Sequence, residues 1–512
     1  MFKKLLVANR GEIAVRVVRA CRELGVTSVA VYSEADRGAL HARLADEAYC
    51  IGPGPVGESY LNAAKIVETA KACGAEAIHP GYGFLSERAE FARACADAGI
   101  VFVGPTPEAM AMLGDKVEAR RIARAAGAPT VPGTEGVVSP EEAKGAADSI
   151  GYPVLIKAAA GGGGRGIRLV PDEASMEGAV RVAAAEAQSA FGDPSLYVEK
   201  YLDPVRHVEI QVIADRHGNA VHLGERECSV QRRNQKLIEE SPSTALTPEL
   251  RARMGAAAVA IAKRAGYENA GTVEFLVDSE GNFYFIEVNA RLQVEHPVTE
   301  MVTGIDLVQI QLRVAAGEPL GLRQEDIQPR GWAIECRITA EDPFQNFTPG
   351  VGTVEFVSEP SGPGIRVDSS LFTGLVIPEY YDSMLSKIIA WGADRDEAVR
   401  RLRRALEEYV ILGPRTTIPF HLQLIDHPDF RSGAIYTRFL DEKFTMAPPP
   451  RGEGEDLALL VAAALAHERR QNGARSNGAA SGERQAVSGW RVAGRMSALS
   501  ESTGGHLWRS II

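Results

Sequence analysis

The stretch Glu287-Val-Asn-Ala-Arg-Leu-Gln-Val-Glu-His296 places a polar side chain at every second position, so Glu287, Asn289, Arg291, Gln293 and Glu295 share one face of an extended segment. Alternation of this kind reads first as a half-buried strand with a solvated side. The preceding segment sharpens the reading. Gly271-Thr-Val-Glu-Phe-Leu-Val277 is a second β-like run, joined to Asn282-Phe-Tyr-Phe-Ile-Glu287 through Asp278-Ser-Glu-Gly281, which is turn chemistry. A turn centred between Glu280 and Gly281 sets Glu274 directly across from Glu287. Like charges facing each other destabilise a sheet unless one is protonated or a cation lies between them. The simplest solution is a hard divalent ion, Mg2+ or Mn2+, held by Glu274, Glu287 and Asn289, with water and phosphate oxygens completing its shell. Arg291 and Glu295 then bring a fixed cation and a base beside the ion, an arrangement suited to metal-assisted phosphoryl chemistry on an anion.

Composition agrees with an enzyme of two to four domains: 512 residues, 45% hydrophobic and 24% charged. A net charge of -11 argues against nucleic acid and against an anionic membrane as partners. The N-terminal apolar run is too short for a secretory signal, no stretch approaches a membrane span, and a cytoplasmic location is expected. The six cysteines are scattered without a C-x-x-C pair and read as reduced thiols, mostly core fillers.

In chain order, Leu5 to Ala8, the turn Asn9-Arg-Gly11 and a helical pattern over 12–24 begin a strand-helix alternation. It continues through strands near 27–32, 75–79 and 100–103 and predicts a doubly wound parallel sheet over 1–113. The turn lacks the G-x-G-x-x-G of a dinucleotide site. The strand-end loop His79-Pro-Gly-Tyr-Gly-Phe-Leu-Ser-Glu87 is richer in Gly, Pro and aromatics than a connector needs, which suggests ligand contact. A helix from Lys116 to about Gly127 leads to a Pro/Gly-rich boundary at 129–136. There a smaller unit begins, in which a strand ending at Lys157 runs into Gly161-Gly-Gly-Gly-Arg-Gly166. Successive glycine N–H groups beside a lysine suit a phosphate-covering loop, though not of Walker A spacing. After a helix near 172–190, the strand at 196–202 offers backbone groups of Glu199, Lys200, Tyr201 and Leu202 to a base. The segment 225–236 gathers four cations and reads either as a solvated charged loop or as an anion site with Arg291 and Arg337. Further on come an alternating run at 332–337, the segment 380–384, and a helical pattern over 395–412. Past Phe444 the chain turns to Pro448-Pro-Pro450, an amphipathic stretch at 456–470 and a polar linker at 471–485.

Taken together, Ala8-Asn-Arg-Gly-Glu-Ile13, the 79–87 loop, the glycine run, Glu199 to Leu202, Gln231-Arg-Arg233, Arg291-Leu-Gln-Val-Glu-His-Pro297, Glu335-Cys-Arg-Ile338 and Tyr381-Asp-Ser-Met384 make 1–444 closely resemble a biotin carboxylase. The resemblance implies an α/β ATP-grasp fold: a Rossmann-like N-terminal domain at 1–113, an ATP-grasp region at 120–316 with a lid at about 130–203, a C-terminal domain at 330–445 and an extension at 447–512. It also implies joining bicarbonate and ATP into carboxyphosphate and carboxylating N1′ of biotin. ATP would meet Lys116, Lys157, Gly163, Gly164, Glu199, Lys200, Tyr201, Leu202, His207, Asn234, Glu274 and Glu287. Two Mg2+ or Mn2+ ions would sit on Glu274, Glu287 and Asn289, and bicarbonate on Lys236, Arg291, Gln293 and Val294. Glu295 would act as base, Arg337 would stabilise the biotin enolate, and Tyr82 and Gly83 would line its ring. Asn234 stands where bacterial members usually have His, and Ala159-Ala160 replace Ser-Gly, stiffening the lid hinge.

The family places biotin on a lysine within Met-Lys-Met. No such tripeptide occurs and Lys443 is the last lysine, so biotin is expected on a separate carboxyl carrier protein, with Trp490 and the 456–470 stretch as a docking element. Carboxyltransferase subunits of an acetyl-CoA or other acyl-CoA carboxylase, propionyl-CoA and pyruvate carboxylases being alternatives, and a homodimer complete the implied partners. Two rivals remain at this level. Another ATP-grasp ligase is opposed by Arg337 and the Tyr82 loop, and an inactive scaffold by the intact Glu274, Glu287, Arg291 and Glu295.

Overall fold

The computed structural model describes residues 1–158, 167–448, 460, 461, 463–465 and 467. Two compact units divide the chain, Met1–Ala447 and Pro448–Ile512, and the six described residues after 450 are helical. The glycine run with Gly163 and Gly164, the 159–160 alanine pair, Trp490 and most of the 456–470 stretch lie outside the described residues.

The first unit opens on a wholly parallel sheet in the order Glu47–Gly52, Thr27–Ser33, Lys4–Val7, Ala77–His79, Val101–Phe102. Its central strand is apolar on both sides because both sides are covered. Leu5 and Val7 pack with Ile13 and Val17 of the helix Gly11–Glu23, and Leu6 packs with Ile66 and Phe91 on the opposite face. At the strand ends Asn9 donates from Nδ2 to the carbonyls of Pro80 at 2.6 Å and Tyr82 at 2.8 Å, which pins the 79–87 loop. A Cβ on Gly81 would lie 2.8 Å from that nitrogen, so this close approach needs glycine.

The next module is a three-stranded antiparallel sheet, Ile167–Val170, Val154–Ala158 and Leu196–Lys200, covered by the helices Pro140–Ile150 and Glu173–Phe191. It has its own small core around Ala147, Ile156, Val170, Met176 and Val198. The Pro140–Ile150 helix starts at a capping box in which Ser139 and Glu142 exchange hydrogen bonds, as Ser-x-x-Glu ahead of an apolar-periodic run requires.

The largest sheet has eight antiparallel strands in the order Phe283–Asn289, Asn269–Asp278, Val205–Ala214, Ala220–Arg232, Gln235–Ser241, Trp332–Thr339, Met384–Gly392, Ile365–Ser369. Strands from both sides of residues 316–330 therefore share one hydrogen-bonded surface. Its centre is tied by Arg226, which is fully buried and donates to Glu209 Oε1 at 2.5 Å, Gln211 Oε1 at 2.7 Å, Thr299 Oγ1 at 3.0 Å and Thr272 Oγ1 at 3.0 Å.

Four local expectations change. The alternation from Glu287 to Glu295 is strand only as far as Asn289; the chain then turns and enters the helix His296–Thr303, whose start is fixed by Pro297 in its first turn. Period-two patterning cannot see that turn, because its polar residues continue at the same spacing. Glu274 does oppose Glu287, but the turn is centred on Glu280 and Ile286 is an extra, bulged residue that restores the pairing. The cationic segment 225–236 is a long hairpin rather than a loop, turning only at Arg233 and Asn234 with φ of 50° and 64°. Finally, the helix predicted over 395–412 stops at Glu408, and Val410–Leu412 is a strand paired with Phe356–Ser358.

Replacing Arg226 with Met should lower stability by about 3–5 kcal/mol in a urea titration, because the Glu209 carboxylate loses a buried partner.

Candidate active site

Three strands and one turn deliver the charged centre. Lys236, just past the hairpin turn, sends its ammonium to Glu209 of the neighbouring strand region, to Glu274 Oε1 at 2.9 Å and to Glu295 Oε1 at 2.6 Å. Arg337 bridges the other oxygen of Glu295, 3.0 Å away, to Glu239. Glu209, Glu239 and Glu295 are entirely buried. Burial alone would raise Glu295, but the charges of Lys236, Arg337 and Arg226 hold it well below the usual carboxylate range. Glu239, farther from Lys236, is pushed up to about 7, mainly by burial and despite Arg337.

Beside this cluster lies the carboxylate pair. Glu274 feels burial, yet Lys236 and His207 keep it well below its ordinary value, with His207 Nε2 at 3.1 Å from Oε2. Glu287 is raised by burial and by the charge of Glu274. The opposed pair thus divides into one firmly ionised group and one that holds its proton more readily, the outcome that like charges in register impose. Asn289 follows Glu287 on the same face, with its amide nitrogen buried and unpartnered. Two carboxylates and an amide oxygen in adjoining positions form an all-oxygen donor set, which fits a hard divalent ion.

Arg291 is splayed at the mouth of the turn by Glu87 at 2.9 Å, Gln293 Oε1 at 2.7 Å and Asn289 Oδ1 at 3.2 Å. Gln293 also donates to Glu274 at 3.3 Å, and the Val294 carbonyl accepts from Lys387 at 2.7 Å. Lys236, Arg291, Gln293, Val294, Glu295 and Arg337 thus belong to one contiguous network, even though strand alternation does not unite them.

The nucleotide candidates form a second group. Glu199 is gripped by Lys157 and Arg120, and Lys116, lowered mainly by burial, feels Glu287, Lys157 and Glu199. Lys116 makes no ion pair among the described residues. The Lys200 ammonium is taken by the carbonyls of Gly151 and Tyr152, both at 2.9 Å. The amides of Lys200 and Tyr201 are likewise used internally, by Pro132 and Pro153, so of these three amides Leu202 alone remains for a base edge. Asn234 sits exposed at the hairpin tip with a left-handed backbone that Asn tolerates better than most residues, a local reason for Asn in that turn. Tyr82 carries a buried hydroxyl without a partner, and Gly83, at φ 68°, has open space where a side chain would project.

Sequence reasoning missed Glu209, Arg226, Glu239, Arg120 and Lys387. Their shared signal is a charged residue inside an otherwise apolar strand or helix face, which a buried ion cluster requires and a simple amphipathic element does not. Cys228 is buried, as are Cys21, Cys73, Cys95 and Cys336, while Cys50 is exposed; all six are free thiols.

Family models match in three consecutive segments: "Biotin carboxylase, N-terminal domain" over 1–110, "Carbamoyl-phosphate synthase L chain, ATP binding domain" over 115–323, and "Biotin carboxylase C-terminal domain" over 335–442. Biotin carboxylase 1 of Bacillus subtilis is 56% identical over 443 residues, covering 86% of this chain and 98% of that protein. A pyruvate carboxylase subunit of Methanothermobacter thermautotrophicus is also 56% identical, over 86% of this chain and 90% of its own. A crystal structure of the biotin carboxylase domain dimer of 2-oxoglutarate carboxylase from Hydrogenobacter thermophilus, in complex with MgADP, ADP and bicarbonate, superposes with a TM-score of 0.84 at 52% identity, covering 86% of this chain and 98% of that one. The chain belongs to the biotin carboxylase family, ATP-dependent carboxylases of the ATP-grasp ligase type.

Proposed function

We propose that this chain carboxylates biotin on a separate carrier protein, using bicarbonate and ATP through carboxyphosphate. The observation that carries the reading is the placement of one carboxylate, Glu295, between Lys236 and Arg337, directly beside the Glu274–Glu287 pair. A site for a small anion, a site for a divalent ion and a base share one wall, which is what joining bicarbonate to the γ-phosphoryl of ATP requires. The relative bound to MgADP and bicarbonate supports the same ligand set here.

Glu274, Glu287 and Asn289 would hold Mg2+ or Mn2+, which when bound offsets charge on the phosphate oxygens. Lys116 and Lys157 face the same space as cations for the phosphates, with Leu202 for the base and His207 behind Glu274. Bicarbonate enters against Lys236, Arg291, Gln293 and the Val294 turn. Its arrival alters the electrostatics of the base. In the structure Lys236 and Arg337 suppress the proton affinity of Glu295; once Lys236 is shared with an incoming anion, that suppression weakens and Glu295 can take the bicarbonate proton. A bicarbonate oxygen then attacks the γ-phosphorus, the bond to ADP breaks, and carboxyphosphate forms. Its breakdown releases phosphate, which accepts the N1′ proton as the biotin nitrogen attacks carbon. Arg337 stabilises the enolate, and Tyr82 and Gly83 line the ring. The short-lived intermediate requires that water be excluded, a task suited to the 161–166 glycine run.

The carrier reading rests on the chain's lack of a Met-Lys-Met. We propose a homodimer working with carboxyltransferase subunits of an acyl-CoA carboxylase. A pyruvate carboxylase is the second reading, because the Methanothermobacter protein is as similar as the Bacillus enzyme.

Bicarbonate-dependent ATP hydrolysis, stimulated by free biotin, is the expected activity; hydrolysis indifferent to bicarbonate would overturn the reading. Glu287→Gln should reduce ATP turnover about a hundredfold or more by removing a ligand from the charge-stabilising ion, and near-normal turnover would remove Glu287 from the metal site. Arg337→Ala should damage biotin carboxylation far more than the slow bicarbonate-dependent ATPase, whereas Lys157→Ala should raise KM for ATP. Equal damage to both reactions by Arg337→Ala would reject its assignment to biotin.

A further inference from the structure

Lys387 is fully buried, and the roles above leave it unused. It lies on the Met384–Gly392 strand, opposite Arg337 on one side and Asp368 on the other. Its ammonium reaches three segments distant in sequence. It donates to the Val294 carbonyl at 2.7 Å, lies 3.5 Å from Glu12 Oε1 on the helix that follows the central parallel strand, and sits 5.6 Å from the centre of the Tyr82 ring.

Each contact constrains something the reaction needs. Val294 lies between Gln293 and Glu295, so fixing its carbonyl fixes the turn that presents the anion-binding amide and the base. Tyr82 belongs to the loop already pinned by Asn9. Glu12 is the anchor: both its oxygens are buried without a hydrogen bond, and Lys387 is the cation nearest to it. A buried carboxylate left in this way is costly unless it is tied to a charge, so Glu12 and Lys387 stabilise each other. A second unsatisfied carboxylate, Glu335, lies two residues before Arg337 and leaves Lys387 in a setting with excess negative charge. An ammonium held there by its strand and by Glu12 has no reason to swing away, and the hydrogen bond it gives to the turn is correspondingly rigid.

We propose that Lys387 is a positioning residue, a peg that holds the 291–295 turn through the Val294 carbonyl at a fixed distance from the Tyr82 loop, with Glu12 as its anchor in the N-terminal module. The inference rests on the assignment of bicarbonate to that turn and of biotin to that loop. It implies that the two acceptor substrates, but not ATP, sense the Glu12–Lys387 pair.

Steady-state kinetics of the full chain with free biotin test it. In Lys387→Met, which keeps the stem and removes the charge, KM for bicarbonate should rise about tenfold or more, the scale of one lost buried hydrogen bond, and KM for biotin should also rise. KM for ATP should stay within about twofold. Glu12→Gln, nearly isosteric, should move the bicarbonate KM in the same direction by about threefold, and the double variant should be no worse than Lys387→Met alone because Glu12 acts through Lys387. Should Lys387→Met fail to fold, Glu12→Gln decides. A bicarbonate KM within about twofold of wild type in the folded variants, or a parallel rise in KM for ATP, would overturn the proposal. Absence of bicarbonate-dependent turnover in the wild-type chain would instead overturn the functional reading itself, and this inference with it.

Discussion

Three buried carboxylates, Glu209, Glu274 and Glu295, close on the ammonium of Lys236, and none of these four groups would be stable in its place alone. Removing a charge from water costs on the order of several kcal/mol even after relaxation, so the cluster holds only as a unit, with its geometry set by strands whose registers are fixed. Arg226 neutralises Glu209 from behind, and Arg337 draws on the free oxygen of Glu295. The result is a charged centre inside an eight-stranded sheet. The sheet has to be continuous for this to work: Glu274, Lys236 and Arg337 come from strands that span more than a hundred residues of sequence yet lie within one hydrogen-bonded surface.

The same interaction links fold to chemistry. A site in which cations and carboxylates already satisfy one another is kept intact and dry in the absence of substrate, but it opens to an anion of matching charge, because the anion can replace a carboxylate at the shared ammonium. That exchange turns Glu295 from a suppressed carboxylate into a competent base at the moment its substrate arrives. The Glu274–Glu287 pair extends the logic to a divalent ion, since repulsion in register favours any cation that enters between the two.

Much of this was legible in the chain because certain residues are improbable without it. Glu274 across from Glu287 follows from two β-like runs and a turn, and the pairing survives even though the turn is displaced, since the bulge at Ile286 compensates. The parallel sheet follows from short, continuous apolar runs with helical patterns between them. What the pattern could not convey was where extended structure ends. Gln293 and Glu295 continue the alternation, yet they reach the site from a turn and a helix start, positioned by Pro297 and by contacts to Glu87 and Lys387. Nor could it separate the hairpin at 225–236 from a charged loop, since the buried partners of its cations, Glu209 above all, are strand residues far away in sequence. Long-range ion pairing leaves no local periodicity, and Lys387 and Glu12 are the extreme case.

The central claim, that Lys236 and Arg337 keep Glu295 ionised until bicarbonate enters, is tested most directly by isotope-edited infrared spectroscopy of the Glu295 carboxylate, identified by difference against Glu295→Gln. Without bicarbonate, the band should remain that of an ionised group across about pH 5–8, a window in which a carboxyl governed by burial alone would titrate. In Lys236→Met the titration should move up into that window. A wild-type band that protonates there, or a Lys236→Met band that does not shift, would contradict the account.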